Sequence, residues 1–309
     1  MAGVEIIKVK EQDDGMRLNR WFLKYYPGLS LGRLQKLLRT KQIKVDAQKA
    51  EASLRLAAGQ EIRVPPLEKE AEKPAEVGLS SRDCDFMRQL VIYKDDNVIV
   101  LNKPSGLAVQ GGTKTTRHID GMLAALQFDK PEKPRLVHRI DKDTSGLLVL
   151  ARDRKNADLL TKAFREHLLE KEYLALVSGC PAAEEGEIKA PLAKIGENAV
   201  VRPDGKPATT IYRVLDNSGD KFALLAVAPL TGRTHQIRVH LQHIGCPIVG
   251  DDRYFGQTRQ KYAEISDKLH LHAYKINLSA IYNKKLLLKA ALPSYFKQSL
   301  ETLGIRFKE

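Results

Sequence analysis

Two segments of the 309-residue chain concentrate side chains able to do chemistry. The first is RLVHRIDKDTSGLLVLAR, residues 135–152, in which a polar knot from His138 to Gly146 runs directly into an apolar stretch. Polar loops set on a buried strand are where catalytic groups tend to sit. The carboxylates of the knot are Asp141 and Asp143, and Thr144, Ser145 and Gly146 read as a turn. Taken alone, Asp141 is either a reactive carboxylate or the cap of a turn beside Arg139. The second segment is PLTGRTHQIRVHLQHIGCPIVGDDRYFG, residues 229–256. Thr234 is placed to cap a helix whose Ile237, Leu241 and Ile244 recur at spacings of four and three, with Gly245 ending it and Pro247 following. Arg238 falls in the first turn, off that apolar stripe. A guanidinium fixed there suits a carboxylate or a phosphate, or serves only as a surface ion pair.

Other chemistries find less support. His235, His240 and His243 invite a metal, but no third ligand is evident and H-E-x-x-H is absent, so no metal is expected. Gly111-Gly112 and Gly232 are too sparse for a phosphate loop, and Ser145 does not sit in G-x-S-x-G. The three cysteines, Cys84, Cys180 and Cys246, form no C-x-x-C pair and suggest neither a disulfide framework nor a zinc ribbon.

The elements that must position these segments follow from pattern and charge. Candidate strands are 98–101, 147–151, 173–177, 210–214 and 223–229, and candidate helices are 156–169 and 235–244. The strands come in separated pairs without a βαβ rhythm, which points to an α+β fold. The net charge is +13 and is unevenly spread. Residues 16–64 hold eleven Lys/Arg against three acids, a balance of +8 that leaves +5 for the rest of the chain. A polyanionic partner is expected from that concentration. Within it, Ser30 is a natural cap for a helix over LGRLQKLLRT whose Leu31, Leu34, Leu37 and Leu38 form one stripe. Arg33, Lys36 and Arg39 lie off the stripe as a basic row, either a binding face or a solvated one. Short strands are expected at 43–45 and 61–64. Residues 1–15 read as a tail, and 65–84, with three prolines and alternating charges, as a linker before a domain spanning 85–309. No apolar run approaches the ~18 residues that cross a membrane, and the start of the chain has no signal-peptide core. A soluble, cytoplasmic protein without membrane contact is expected.

Residues 16–64 resemble the S4 RNA-binding domain through RLNRWFL, SLGRLQKLLRTKQIKVD and LAAGQEIRV in that order, with Asp46-Ala47 standing where that family usually has Asn-Gly. The resemblance implies RNA contacts from Arg17, Arg20, Lys24, Arg33, Lys36, Arg39 and Lys41. The rest of the chain resembles the RluA-like pseudouridine synthases, and most of all their RluC branch, which modifies large-subunit ribosomal RNA. The matching segments are LNKPSGLAVQGG (101–112), HRIDKDTSGLLVLAR (138–152), KEYLALVSG (171–179), TGRTHQIRVH (231–240) with GCPIVGDDRYFG (245–256), and LHA (271–273), supported by VRPDGKPATTIYRV (201–214).

This second resemblance implies a catalytic domain on a mixed, mainly antiparallel sheet with flanking helices and a central cleft. It also implies that the chain isomerises uridine in RNA. The N1–C1′ bond breaks, the uracil turns over, and C5 bonds to C1′, with no redox cofactor. Asp141 is then the catalytic carboxylate, acting ionised by attack on C1′ or by removal of a sugar proton. Arg238 is its expected partner, with Arg233 second. Arg139 enters the gap left by a flipped base, and Tyr173, otherwise an ordinary strand aromatic, stacks on the uracil. The partner is RNA, most of all large-subunit ribosomal RNA, and the chain is expected to be a monomer. An RNA-binding protein without catalysis would explain the basic N-terminal part but not the paired HRIDKDTSG and GRTHQIR segments.

Overall fold

The computed structural model describes residues 3–67, 79–112, 115, 117–255 and 264–308. They fall into two compact units, divided between Gly78 and Leu79. Most of the expected linker, residues 68–78, and Gly256 of the second motif lie outside the described residues. No helix among the described residues is long and apolar enough to cross a membrane.

The first unit contains β1 (Glu5–Lys8), α1 (Leu18–Tyr25), α2 (Leu31–Arg39), β2 (Lys44–Val45), β3 (Gln48–Lys49) and β4 (Glu61–Val64). Its sheet runs β1-β4-β2-β3, antiparallel throughout. The Oγ of Ser30 caps α2 by accepting the Arg33 N–H at 3.3 Å. Leu34 and Leu38 are buried against Trp21, Phe22 and Ile43, while Arg33, Lys36 and Arg39 are exposed. The β2–β3 hairpin turns on Asp46 and Ala47, both left-handed at φ 48 and 65. This is the conformation of a two-residue hairpin loop that Asn-Gly usually supplies. The Asp46 carboxylate holds the turn by accepting from the Gln60 side chain and the Glu61 N–H, each at 2.8 Å.

Two expected boundaries are corrected. Residues 5–8 are not tail but the edge strand β1, Val9 lies in the core, and the buried Asp13 accepts from Lys24 and Tyr25 at 2.6 Å each. The linker expected at 65–84 is cut from both ends. Leu67 packs into the first core, and residues 81–84 open a helix capped by Ser80, whose Oγ accepts from the Asp83 N–H at 3.1 Å.

The second unit contains α3 (Ser81–Gln89), β5 (Val91–Lys94), β6 (Val98–Lys103), α4 (Ile119–Met122), β7 (Arg135–Leu136), β8 (Ser145–Ala151), α5 (Arg154–Arg165), β9 (Glu170–Ser178), β10 (Glu185–Lys189), β11 (Leu192–Ile195), β12 (Asn198–Val201), β13 (Thr209–Ser218), β14 (Phe222–Pro229), α6 (Gln236–His243), β15 (Leu271–Asn277), α7 (Ser279–Tyr282), β16 (Leu287–Lys289) and α8 (Ser294–Thr302). Its main sheet runs β10-β13-β14-β9-β15-β8-β6-β5, with β7 paired to β8 and β16 to β15. The β15–β8 pair is parallel and the other pairs are antiparallel. The fold is therefore α+β on a mixed, mainly antiparallel sheet. A separate hairpin is formed by β11 and β12.

The apolar runs form central strands because both sheet faces are covered. Along β6 and β8, Val98, Val100, Leu147 and Val149 face Leu160 and Ala163 of α5, while Ile99, Leu101, Leu148 and Leu150 face Met87 of α3 and Ile119 of α4. In the other half, Leu225 and Val227 of β14 face Ile237 and Leu241 of α6, while Phe222 and Leu224 face Phe296 and Leu300 of α8. The strand period of two thus divides each segment between two cores.

The seam between the halves is the short contact of β8 with β15, where Ser145 and Gly146 pair with His272 and Ala273. Gly146 sits there at φ 103, and a Cβ on it would lie 2.3 Å from the Ala273 carbonyl oxygen. Both the backbone conformation and the space demand glycine. Gly146→Ala is expected to lower the unfolding free energy by about 3 kcal/mol or more, measurable by denaturant titration; an unchanged midpoint would refute this account of the seam.

Candidate active site

Asp141 lies on the irregular stretch between β7 and β8, and a half-buried histidine and a buried lysine tether that stretch on either side of it. Before it, His138 accepts the Val149 N–H at Nε2 (2.8 Å) and stacks on Phe164, ring centroids 4.1 Å apart. Burial pushes this imidazole down to about 3, so it stays neutral and keeps its acceptor nitrogen. After it, the fully buried Lys103 of β6 donates to the carbonyls of Pro104 (2.9 Å), Leu107 (2.9 Å) and Lys142 (2.8 Å). Burial pulls the Lys103 ammonium down to about 7, while the charges of Asp143 and Asp141 favour its protonated form. Three carbonyl acceptors also require three donor hydrogens, which only the ammonium has.

The second sequence segment supplies the facing wall. Thr234 does not cap α6, contrary to expectation. The residue before the helix is His235, left-handed at φ 51 and making no side-chain cap. The buried Gln236 fixes this helix start instead. Its Oε1 accepts from Thr231 Oγ1 (2.7 Å) and the Arg233 N–H (3.0 Å), and its Nε2 donates to the Thr209 carbonyl (2.9 Å) and Thr210 Oγ1 (3.0 Å). Two turns of consequence follow. Gly245, at φ 79, ends the helix as expected, and Gly250, at φ 76, turns the chain into Asp251.

Arg238 is buried and lies between two carboxylates. Its Nε and Nη2 donate to Asp251, each at 2.7 Å, and its Nη1 reaches Asp141 Oδ2 at 3.4 Å. Asp251 is wholly buried and also accepts from the N–H groups of Arg253 (3.0 Å) and Tyr254 (3.1 Å). The arginine that the resemblance pairs with Asp141 is therefore held chiefly by Asp251, a residue that sequence reading did not single out. The available signal was an acid directly after a glycine in GDDRY. The Tyr254 ring lies under the guanidinium, 5.1 Å from Cζ.

A cleft of about 400 Å³ opens in front of Asp141. Tyr173 of β9 lines it with Ile140, Ile237 and Leu271, and so do Arg139, Arg165, Lys171, Arg233 and Arg238. Asp141 is the one carboxylate lining this cleft among the described residues. Burial, and then the charge of Asp141, raise the Tyr173 phenol above its ordinary range, so it remains protonated. Arg139 is exposed at the mouth, with Nη1 3.4 Å from Gln110 Oε1. Arg233 is also exposed and donates from Nε to the Pro207 carbonyl at 3.2 Å. Asp141, Tyr173, Arg139, Arg233 and Arg238 thus meet at one place.

His240, by contrast, is buried between Thr210 Oγ1 and the Ala190 carbonyl, each at 2.9 Å, and His243 is exposed. Among the described residues no group of His, Cys, Asp and Glu is placed to hold a metal ion. Arg17, Arg20, Arg33, Lys36, Arg39 and Lys41 are exposed on the first unit, whereas Lys24 is engaged by Asp13.

Comparison with known proteins bears on the same segments. The family described as RNA pseudouridylate synthase matches residues 97–243. The ribosomal large subunit pseudouridine synthase C of Rickettsia bellii is 37% identical over 293 residues, covering 91% of this chain and 96% of the relative. The protein of the same name from Vibrio cholerae is 37% identical, covering 96% of each. Among solved structures, human RNA pseudouridylate synthase domain containing 4 superposes with a TM-score of 0.63 at 29% identity, over 73% of this chain and 97% of that one.

Two outcomes follow from the tethers. Asp251→Asn leaves the buried Arg238 without its main counter-charge and should lower the unfolding free energy by about 3 kcal/mol, read from denaturant melts; a neutral result would show that Arg238 is held otherwise. His138 is neutral when folded, whereas the unfolded chain protonates it below about 6.5, so the unfolded state binds more protons in that range. Stability should therefore fall on acidification from pH 6.5 toward 4, by up to about 1.4 kcal/mol per pH unit for this one group. His270, pushed down to about 4 by burial, acts in the same sense. The slope should shrink in His138→Asn and stay unchanged if His138 is not buried neutral.

Proposed function

The chain belongs to the RNA pseudouridylate synthase family, in its RluC-like branch, and is an RNA pseudouridine synthase; on that premise we propose that it converts specific uridines of large-subunit ribosomal RNA, with Asp141 as the catalytic carboxylate. The observation that carries this reading is the one carboxylate that lines a cationic cleft among the described residues, set beside Tyr173 and Arg238. The reaction exchanges an N1–C1′ bond for a C5–C1′ bond and moves the C5 proton to N1. No water is consumed, so the second carboxylate that glycoside hydrolases use to handle water is not needed. One carboxylate facing the ribose suffices. The choice of substrate is supported by the names of the relatives, which refer to the large ribosomal subunit.

A uridine within folded RNA must leave its stack to reach the cleft, at a cost of roughly a few kcal/mol. Tyr173 offsets part of that cost by stacking on the uracil, a contact worth about 1–3 kcal/mol. Arg139, exposed at the cleft mouth, fills the vacated gap, and Arg233 meets the backbone beside it. The first unit acts as an S4-like RNA-binding domain. Its exposed Arg17, Arg20, Arg33, Lys36, Arg39 and Lys41 meet phosphates, which adds affinity but little sequence choice. Lys24, already paired with Asp13, contributes less.

The test is to incubate pure protein with unmodified large-subunit ribosomal RNA and map pseudouridine by mass, with Asp141→Asn alongside. Product from the wild type alone, with RNA bound equally by both, is the expected result. Product from Asp141→Asn would remove Asp141 from its role. No product from the wild type on this RNA would move the substrate elsewhere.

A further inference from the structure

Beside Arg238, a second group faces Asp141. The Nε2 of His235 lies 3.8 Å from Asp141 Oδ2, and its Nδ1 lies 2.7 Å from the Tyr254 hydroxyl. That hydroxyl accepts the N–H of Ala199 at 2.9 Å, from β12 of the separate hairpin. We propose that His235 and Tyr254 are positioning residues for Asp141: two hydrogen bonds run from the hairpin amide through the Tyr254 hydroxyl to His235, whose Nε2 faces the carboxylate across 3.8 Å. The inference rests on the proposed role of Asp141.

The line has a direction set by donor accounting. An amide N–H can only donate, so the Tyr254 oxygen accepts from Ala199 and its own proton is free to be given away. His235 Nδ1 is the acceptor 2.7 Å from it. That choice puts the imidazole proton on Nε2, aimed at Asp141. The opposite tautomer would set a lone pair of Nε2 against the carboxylate and leave the phenol proton without this acceptor. Burial keeps His235 below its ordinary pKa, in agreement with a neutral ring carrying one such proton. His235 precedes α6 in the left-handed conformation and makes no side-chain cap, which leaves its ring free for these two contacts.

Asp141 thus faces two donors, Arg238 anchored by Asp251 and His235 anchored by Tyr254. Both anchors come from the one turn at 251–254. Arg253 of that turn also meets Asn198 Oδ1 at 3.3 Å, at the start of β12. The hairpin borders a groove whose charged lining is Lys194, Lys206, Arg233 and Asp204, the last paired with Arg202. An RNA strand lying in that groove would press on the element that sets the His235 tautomer.

The variants that test this are Tyr254→Phe, His235→Gln and His235→Leu, assayed for pseudouridine formation under saturating and limiting RNA, with RNA affinity measured separately. Tyr254→Phe keeps the ring under Arg238 and removes only the hydroxyl. It should lower kcat by about tenfold, the upper end of the scale for one hydrogen bond between neutral groups, with KM and RNA affinity unchanged. His235→Gln, which retains an N–H donor at similar reach, should keep more activity than His235→Leu. Wild-type kcat in Tyr254→Phe, a parallel loss of kcat and RNA affinity, or equal activities of the Gln and Leu variants would each overturn the proposal. An inactive wild type would instead count against the functional reading itself, which keeps the two failures distinct.

Discussion

The site depends on one buried guanidinium. Arg238 is out of water and could not remain charged there without compensation. Asp251 supplies it through two parallel hydrogen bonds, and Asp251 is satisfied in turn by two backbone N–H groups of its own turn. The strong pair lies behind the cleft, and of the three N–H groups left over one on Nη1 is turned toward Asp141. This division fixes the arginine in place while leaving Asp141 only lightly held, at 3.4 Å. On the role proposed for Asp141 this matters, because a carboxylate that is to react with a substrate cannot be saturated by protein donors beforehand. Transition-state stabilisation of this kind comes from donors fixed in advance rather than from donors gathered during the reaction.

The same economy shapes the stretch around Asp141. It has little regular structure of its own, and its position comes from groups tied to β6 and β8. Lys103 spends its donors on three carbonyls, and His138 accepts the Val149 amide, so the backbone is pinned three residues before Asp141 and one residue after it. Both residue types usually advertise surface or catalysis. Here they act as fasteners, the histidine kept neutral by burial and the lysine kept charged, against burial, by its three carbonyls and the nearby carboxylates.

Much of this was legible in the residues, and the gaps have physical causes. The Leu34–Leu38 stripe and the apolar runs of β6, β8 and β14 could be read because burial on regular faces leaves a period. The β1 strand could not, since EIIK is a short and mostly exposed edge whose partner lies more than fifty residues away. The start of α6 misled because Thr234 has the chemistry of a cap, while the Gln236 amide does the stapling through partners on β13. Asp141 and Arg238 stood out through motifs. Asp251, His235 as a partner of Tyr254, and Lys103 as a clamp did not, because their roles depend on which distant atoms fold against them. The turn at Asp46-Ala47 kept its left-handed geometry without Asn-Gly, through a carboxylate that reaches β4.

The placement of β15 has a consequence in time. Asp141 belongs to the half of the sheet built on β6 and β8, and Arg238 packs on the half built on β9, β13 and β14. Among the described strands it is β15, lying between β9 and β8, that joins them in the sheet, and it follows both segments in the chain. During synthesis each half can collapse on its own helices as it emerges, but the parallel seam has to wait. Closing it brings residues 145 and 272 together across a long loop, the kind of contact that slows folding. The nascent protein therefore carries both cleft-lining segments well before it has a cleft, which comes into being only as β15 slots into the middle of the sheet.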